Sequence, residues 1–218
     1  MKKKIWIMMA ALAIMSVAAQ AQISFGIRAG AGLQNLNGKD SNGDKLENKM
    51  IPAFHAGVNV EIPVAEEFYL QPGLLFATKG AKDETETVTS KINLSYLELP
   101  INLLYKPQLG NGHLLLGFGP YVAYGILGKL KVEDESTDIK FKSKVTIDDL
   151  GDNVLFLKGL DAGANLFVGY ELAFGLSFQL NTQLGLVDIN STLEGAEDAN
   201  DKSKLSNTGF GLSAGYRF

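Results

Sequence analysis

Side chains able to do acid–base or nucleophilic chemistry are few in this chain. Its 218 residues include two histidines, His55 and His113, and no cysteine. Acyl transfer would need one of those imidazoles beside a serine or another nucleophile, with a carboxylate to orient it. Both histidines instead occupy polar positions of alternating segments, toward opposite ends of those segments, and read as core or turn residues. The lack of cysteine excludes disulfide staples and thiolate metal sites. Asp40-Ser41-Asn42-Gly43-Asp44 opens like a calcium loop, but its glycine comes two positions early and Ile51 stands at the twelfth position where a bidentate Glu is needed. It reads as a solvated turn. Glu194, Glu197, Asp198 and Asp201 form a second acidic group, again in a polar loop that could meet divalent ions. The Gly-Phe-Gly and Gly-Ala-Gly pieces lie inside alternating segments, so no phosphate-binding loop is implied. No reaction and no cofactor follows from these residues.

What does recur is a set of polar groups at every second position of otherwise apolar stretches. The last stretch, SNTGFGLSAGYRF over residues 206–218, shows it clearly. Thr208, Phe210, Leu212, Ala214, Tyr216 and Phe218 fall on one face, and Gly209, Gly211, Ser213, Gly215 and Arg217 on the other. A period of two marks a β-strand whose two faces meet different solvents. The pattern repeats over residues 23–33, 51–62, 68–79, 91–105, 113–127, 159–171 and 176–186, making eight strands in all. Arg28, His55, Glu61, Gln71, Lys79, Glu98, Asp161, Asn165, Glu171 and Gln183 lie on the polar face of their strands.

The connections between these strands run long, short, long, short, long, short, long, which leaves both ends of the chain on the short-turn side. A soluble sandwich has no reason to segregate its loops by length, whereas an outer-membrane barrel does. Aromatics collect near strand ends, Phe25, Phe68, Tyr105, Tyr170, Tyr216 and Phe218 on the short-turn side and Phe54, Phe76 and Tyr124 near the other. The composition agrees, with 46% hydrophobic and 20% charged residues, because a spanning strand needs only about half its residues apolar while a spanning helix needs a run of about 20. The expected fold is all-β, an eight-stranded antiparallel up-and-down transmembrane β-barrel over residues 22–218.

The amino terminus reads as a cleaved secretory signal over residues 1–21. Lys2, Lys3 and Lys4 are its basic region, residues 5–18 its apolar core, and Ala19-Gln20-Ala21 its cleavage site, with Gln22 starting the mature chain. Cleavage between Ala21 and Gln22 removes three of the 20 basic residues, so 17 face 24 acidic ones and the net charge is −7. Nucleic acid is a poor partner for such a surface. The expected location is the cell outer membrane.

In an eight-stranded barrel the lumen is only wide enough for its own side chains, and charges there must be paired or wetted. Arg28 is expected to meet Glu98, and Arg217 to meet Glu61 or Glu171, with Asp161 in the same inward set. Inward glycines on strands one, five and eight leave room for Tyr69, Tyr96, Tyr121 and Phe167. A hydrogen-bonded polar plug and a narrow path for solutes or protons are the two readings of such a lumen. An acylase acting on lipid would want a lipid-facing nucleophile, which neither histidine supplies. In the longest connection, the weak alternation of Ile139, Phe141, Val145 and Ile147 against lysines suggests a hairpin projecting beyond the barrel.

Several stretches resemble the PorT-like outer-membrane β-barrel family: SFGIRAGAG on strand one, YLQPGLLF at residues 69–76, GFGPYVAYGILG on strand five and GLSAGYRF at the end. The most specific piece is SYLELPINLLYKP at residues 95–107, around Tyr96 to Pro100. The resemblance covers nearly the whole mature chain. It implies an eight-stranded barrel without catalytic residues, in a family whose name-giving branch is linked to protein secretion. The barrel-insertion signal of outer-membrane proteins wants aromatics at the last and third-last positions, met by Phe218 and Tyr216, and Gly at the sixth-last, where this chain has Ser213. The implied partners are outer-membrane lipid, the barrel assembly machinery during insertion, and an envelope or secretion protein.

Overall fold

The computed structural model describes residues 23–84, 88–146, 149, 154–195 and 202–218. The signal segment with its Ala21/Gln22 cleavage site lies outside them, as do Glu197, Asp198 and Asp201 of the acidic group. Eight long strands carry the fold: β1 (Ser24–Lys39), β2 (Ile51–Ala65), β3 (Phe68–Glu84), β4 (Thr89–Tyr105), β5 (Gly112–Val132), β6 (Leu160–Glu171), β7 (Leu176–Gly185) and β8 (Lys204–Arg217). Each pairs antiparallel with the next, and β8 pairs antiparallel with β1, from Gly26 opposite Arg217 to Lys39 opposite Lys204. Closure in this order is an up-and-down barrel with no free sheet edge.

The register fixes the stagger. From Arg28 the paired positions run through Gly57, Leu75, Glu98 and Ala123 to Asp161 on β6. In the other direction they run through Gly215 and Ser177 to Glu171, ten residues further along that same strand. A stagger of this size tilts the strands steeply against the barrel axis and sets a lumen that side chains can fill.

The two faces divide as the alternation requires. Phe25, Phe54, Leu99, Phe118, Leu166, Leu180 and Leu212 stand on the outside, large and exposed. So large an apolar surface would be a liability in water, whereas in lipid it costs nothing. Leu75, Lys79, Tyr96, Glu98, Tyr121, Asp161 and Phe167 point inward and are buried.

Five of the strands outrun the alternation signal on the long-connection side. On β5 the lipid-type face ends at Ile126 and Leu127, both exposed because a bulge places Ile126 between the Gly125–Tyr96 and Leu127–Ser95 pairs. Pairing nevertheless continues to Val132 opposite Ser90. The outer face changes there from lipid to water, which erases the hydrophobic period without ending the ladder.

Beyond the barrel, Glu135–Phe141 folds back on β5, with Lys129 opposite Asp138, so a hairpin does extend the wall. The chain then turns inward. Leu155–Leu157 runs parallel to Ile139–Phe141, and Thr192–Leu193 pairs parallel with Lys144–Val145. Ile139, Leu157 and Ile189 become buried with Leu36, Leu94, Tyr96, Tyr121 and Leu205 in one apolar cluster across the barrel mouth. Burial of these aliphatic groups, which weak alternation conceals, is what draws the longest connection over the lumen.

Candidate functional site

The groups with chemical potential converge in the lumen, in sets supplied by different strands. Nearest the short turns, Glu61 of β2 is only 1% exposed. Lys106 Nζ lies 3.0 Å from Glu61 Oε2 and 2.8 Å from Glu171 Oε1, so one ammonium bridges two carboxylates. Arg217 of β8 pairs with the other oxygen of Glu61, which also accepts from Gln71 Nε2 at 3.2 Å. Arg217 thus meets Glu61, and Lys106 connects Glu171 to it. Lys106 was hidden in the sequence by its place before Pro107, at a strand end that reads as a turn. Its even position, in phase with Asn102 and Leu104, was the available signal.

Beside this set Leu104, Leu115 and Phe167 pack together with Tyr69. The Phe167 ring occupies the space over Gly117, where any Cβ would overlap it. Gly163 likewise makes room for Tyr121, whose ring would lie 2.7 Å from an added Cβ.

The middle of the lumen is polar. Arg28 Nη1 donates to Gln179 Oε1 at 3.4 Å. His55 Nε2 lies 2.8 Å from Ser213 Oγ, and Asn181 Nδ2 donates to that hydroxyl oxygen at 2.6 Å. Gln183 Nε2 donates to Glu98 Oε1 and to Asn165 Oδ1, both at 2.9 Å. A cavity of about 70 Å³ lies among these groups. Arg28 Nε, Asn102 Oδ1 and Asn181 Oδ1 belong to residues that line it, and among the described residues none of these atoms has a hydrogen-bond partner. The space is large enough for water to satisfy them.

Above the cavity Lys79, 1% exposed, stands between two carboxylates. Its Nζ donates to Asp161 Oδ2 at 3.0 Å and lies 2.9 Å from Glu98 Oε2. Asp161, wholly buried, also accepts from Asn207 Nδ2 at 2.9 Å and from the Tyr121 hydroxyl at 3.3 Å. The same ammonium sits 4.2 Å from the Tyr121 ring centre and 5.3 Å from that of Tyr96, within cation–π reach.

Glu98 is therefore held by Lys79, where Arg28 was expected. Strand adjacency explains the exchange: Lys79 projects from β3, next to Glu98's strand, and although it stands opposite Leu94 its long side chain reaches Glu98 diagonally, while Arg28 is three strands away and turns to Gln179. Charge balance still ties Arg28 to this set. Lys79 alone leaves one of Glu98 and Asp161 uncompensated, and Arg28 across the cavity supplies the missing positive charge. Lys106 and Arg217 balance Glu61 and Glu171 in the lower set. Low-dielectric interiors demand such neutrality.

The His55–Ser213 contact lies inside the lumen, away from the lipid face, and Ser213 is only 4% exposed. His113 sits at the other end of the barrel, opposite Glu171 on β6. Asp40 of the calcium-like stretch accepts from the backbone N–H groups of Asn42 and Asp44 at 3.0 and 2.9 Å, closing the turn on itself. Among the described residues no cluster of three His, Asp or Glu could hold a metal ion.

A model of the outer membrane protein beta-barrel domain matches residues 7–218. No curated protein matches the chain. Among solved structures, the attachment invasion locus protein Ail of Yersinia pestis is similar at 10% identity and TM-score 0.39, covering 89% of this chain and 98% of that one. OprG, an outer membrane protein of Pseudomonas aeruginosa, is similar at 15% identity and TM-score 0.44, covering 89% and 95%.

Proposed function

Given that the chain belongs to the outer membrane protein beta-barrel domain family and is an outer-membrane protein, we propose that it serves the bacterial envelope as a structural and interaction protein, a closed barrel presenting four connections to the outside. The observation that carries this reading is the Lys79–Glu98–Asp161 set. A solute crossing the barrel would have to part a buried ammonium from both carboxylates, and uncompensated charge in such a place is strongly unfavourable. The apolar cluster over the mouth adds a second barrier. A narrow channel would have to thread both, starting from a central cavity of about 70 Å³.

An accessory role in a secretion complex is the second reading, and it draws on the PorT-like resemblance. The residues that make that resemblance specific favour the first reading. Tyr96, Glu98, Pro100 and Asn102 of the 95–107 stretch are all buried. The polar and aromatic half of the motif therefore serves lumen packing, while Leu97, Leu99 and Ile101 stand on the outer, lipid-type face.

Crosslinking in intact cells through the lysines of the 129–158 connection, read by mass spectrometry, tests the proposal. Crosslinks to diverse envelope components, with detergent sensitivity on deletion of the protein, are the expected result. One stoichiometric secretion partner would transfer the assignment to the second reading, and absence of both crosslinks and sensitivity would contradict both.

A further inference from the structure

The extension of the strands beyond the lipid face carries an arrangement that strand pairing alone disfavours. Lys49 bridges to Lys82, Lys82 stands opposite Lys91, and Lys91 stands opposite Lys131. Four lysines thus form one unbroken cross-strand row. Their neighbours Ala81, Ile92 and Leu130 point into the apolar cluster of the mouth, so alternation puts Lys82, Lys91 and Lys131 on the outer surface. Like charges directly opposite one another destabilise a sheet, and three successive such contacts are not accounted for by the fold.

The row already holds one anion. Glu84, two positions beyond Lys82, forms ion pairs with both Lys49 and Lys82. Among the described residues neither Lys91 nor Lys131 has an ion-pair partner, which leaves the β4–β5 half of the row uncompensated. Around the barrel the pattern recurs, with Lys39 opposite both Lys204 and Lys45.

Height identifies the occupant. Leu127 is the last apolar residue on the outward phase of β5, Val132 falling on the opposite phase, and Lys131 follows Leu127 by four residues, about 13 Å along the strand and roughly 10 Å along the membrane normal once the tilt is included. That is just above the hydrocarbon edge, in or slightly beyond a headgroup layer about 5–7 Å deep. A lysine side chain can reach down some of that distance.

We propose that the Lys49–Lys82–Lys91–Lys131 row is a binding surface for the anionic, phosphate-bearing saccharide headgroup of an outer-leaflet glycolipid. Glu84 occupies one end of the row as a built-in anion, and the glycolipid neutralises the other, at Lys91 and Lys131. The proposal rests on the outer-membrane placement and is independent of whether the lumen conducts.

The test uses the folded full-length mature protein in detergent, titrated with a bis-phosphorylated lipid A, with its dephosphorylated form, and with phosphatidylglycerol. The variant Lys49→Gln/Lys82→Gln/Lys91→Gln/Lys131→Gln is compared with the unaltered chain after heat-modifiable gel mobility has verified folding. The expected result is tight, salt-sensitive binding of the phosphorylated glycolipid and at least about tenfold weaker binding by the variant, since each basic residue near an anionic surface contributes substantially. Equal binding by the variant, equal binding of the dephosphorylated form, or equal preference for phosphatidylglycerol would each overturn the proposal. Should the fourfold variant not fold, Lys91→Gln/Lys131→Gln carries the same comparison, because among the described residues those two lysines have no ion-pair partner to lose.

Discussion

Lys79 is the residue on which the interior depends most. It is buried, it neutralises two carboxylates, and two aromatic rings wall it from water. Replacing Lys79 with Met leaves Glu98 and Asp161 with only Arg28, across the cavity, to balance two carboxylates, a loss expected to cost about 3–5 kcal/mol. Adding Glu98→Gln and Asp161→Asn to Lys79→Met should recover most of it, as measured by urea unfolding in lipid vesicles. No recovery would mean that the ammonium stabilises the lumen by packing alone. Gly117 offers a second test. Gly117→Ala should destabilise the barrel by about 1–3 kcal/mol through overlap with the Phe167 ring. In combination with Phe167→Leu the two effects should be markedly non-additive, and simple additivity would deny the contact. Which face each of these residues occupies was legible in the sequence, because strand alternation leaves no choice once the outer face is known. Who pairs with whom was not. Arg28 and Lys79 are both inward cations, and which of them meets Glu98 depends on strand adjacency and on the reach of each side chain across the lumen.

At the scale of elements, the eight strands and their order followed from alternation and loop length, because each spanning strand keeps one face in lipid. The mouth did not follow. Ile139 and Phe141 alternate with lysines as a water-exposed hairpin would, and the cluster in which Ile139 is buried draws Leu36 and Leu205 from the two ends of the chain. Ile139→Asp should loosen the cap and speed trypsin cleavage at Lys140 and Lys142 in the folded barrel, whereas an unchanged rate would show that the apolar cluster does not hold this connection. The same connection has a pH-dependent tie. Asp149 accepts from Lys142 Nζ at 2.5 Å and from the Thr146 amide and hydroxyl at 2.8 and 2.7 Å. Those bonds hold its carboxyl well below the usual aspartate range, the Lys142 bond contributing most. A depressed folded value means the tie is fully present above about pH 3.9 and is lost as pH falls toward the lower folded value. Protection of the Thr146 amide, measured against its intrinsic exchange rate at each pH, should therefore persist down to about pH 4 and fall only in stronger acid, and Asp149→Asn should remove that acid-dependent loss of protection.

The whole molecule is a tube with a lipid-facing exterior and charge-balanced layers within. Closure depends on β8, whose register with β1 and β7 joins the ends of the sheet. Its terminal Phe218 keeps a backbone bond to the carbonyl of Phe25 at 2.9 Å and an edge-to-face contact with Tyr216. Deleting Phe218 should lower the amount of folded barrel in the outer membrane while export proceeds, and normal membrane levels would count against its role in insertion. Ser213 departs from the glycine expected six places from the end. In the structure its hydroxyl is engaged by Asn181 and lies beside His55, so the departure serves the lumen. The claim that governs the functional reading is that paired charges and an apolar mouth close this tube. Single-channel recording of the purified barrel in planar bilayers measures that most directly. A tube closed in this way gives no conductance steps above background in the unaltered protein, and steps appear on removal of the buried set by Lys79→Ala/Glu98→Ala/Asp161→Ala together with Phe141→Ala in the cap. Regular steps from the unaltered barrel would contradict it.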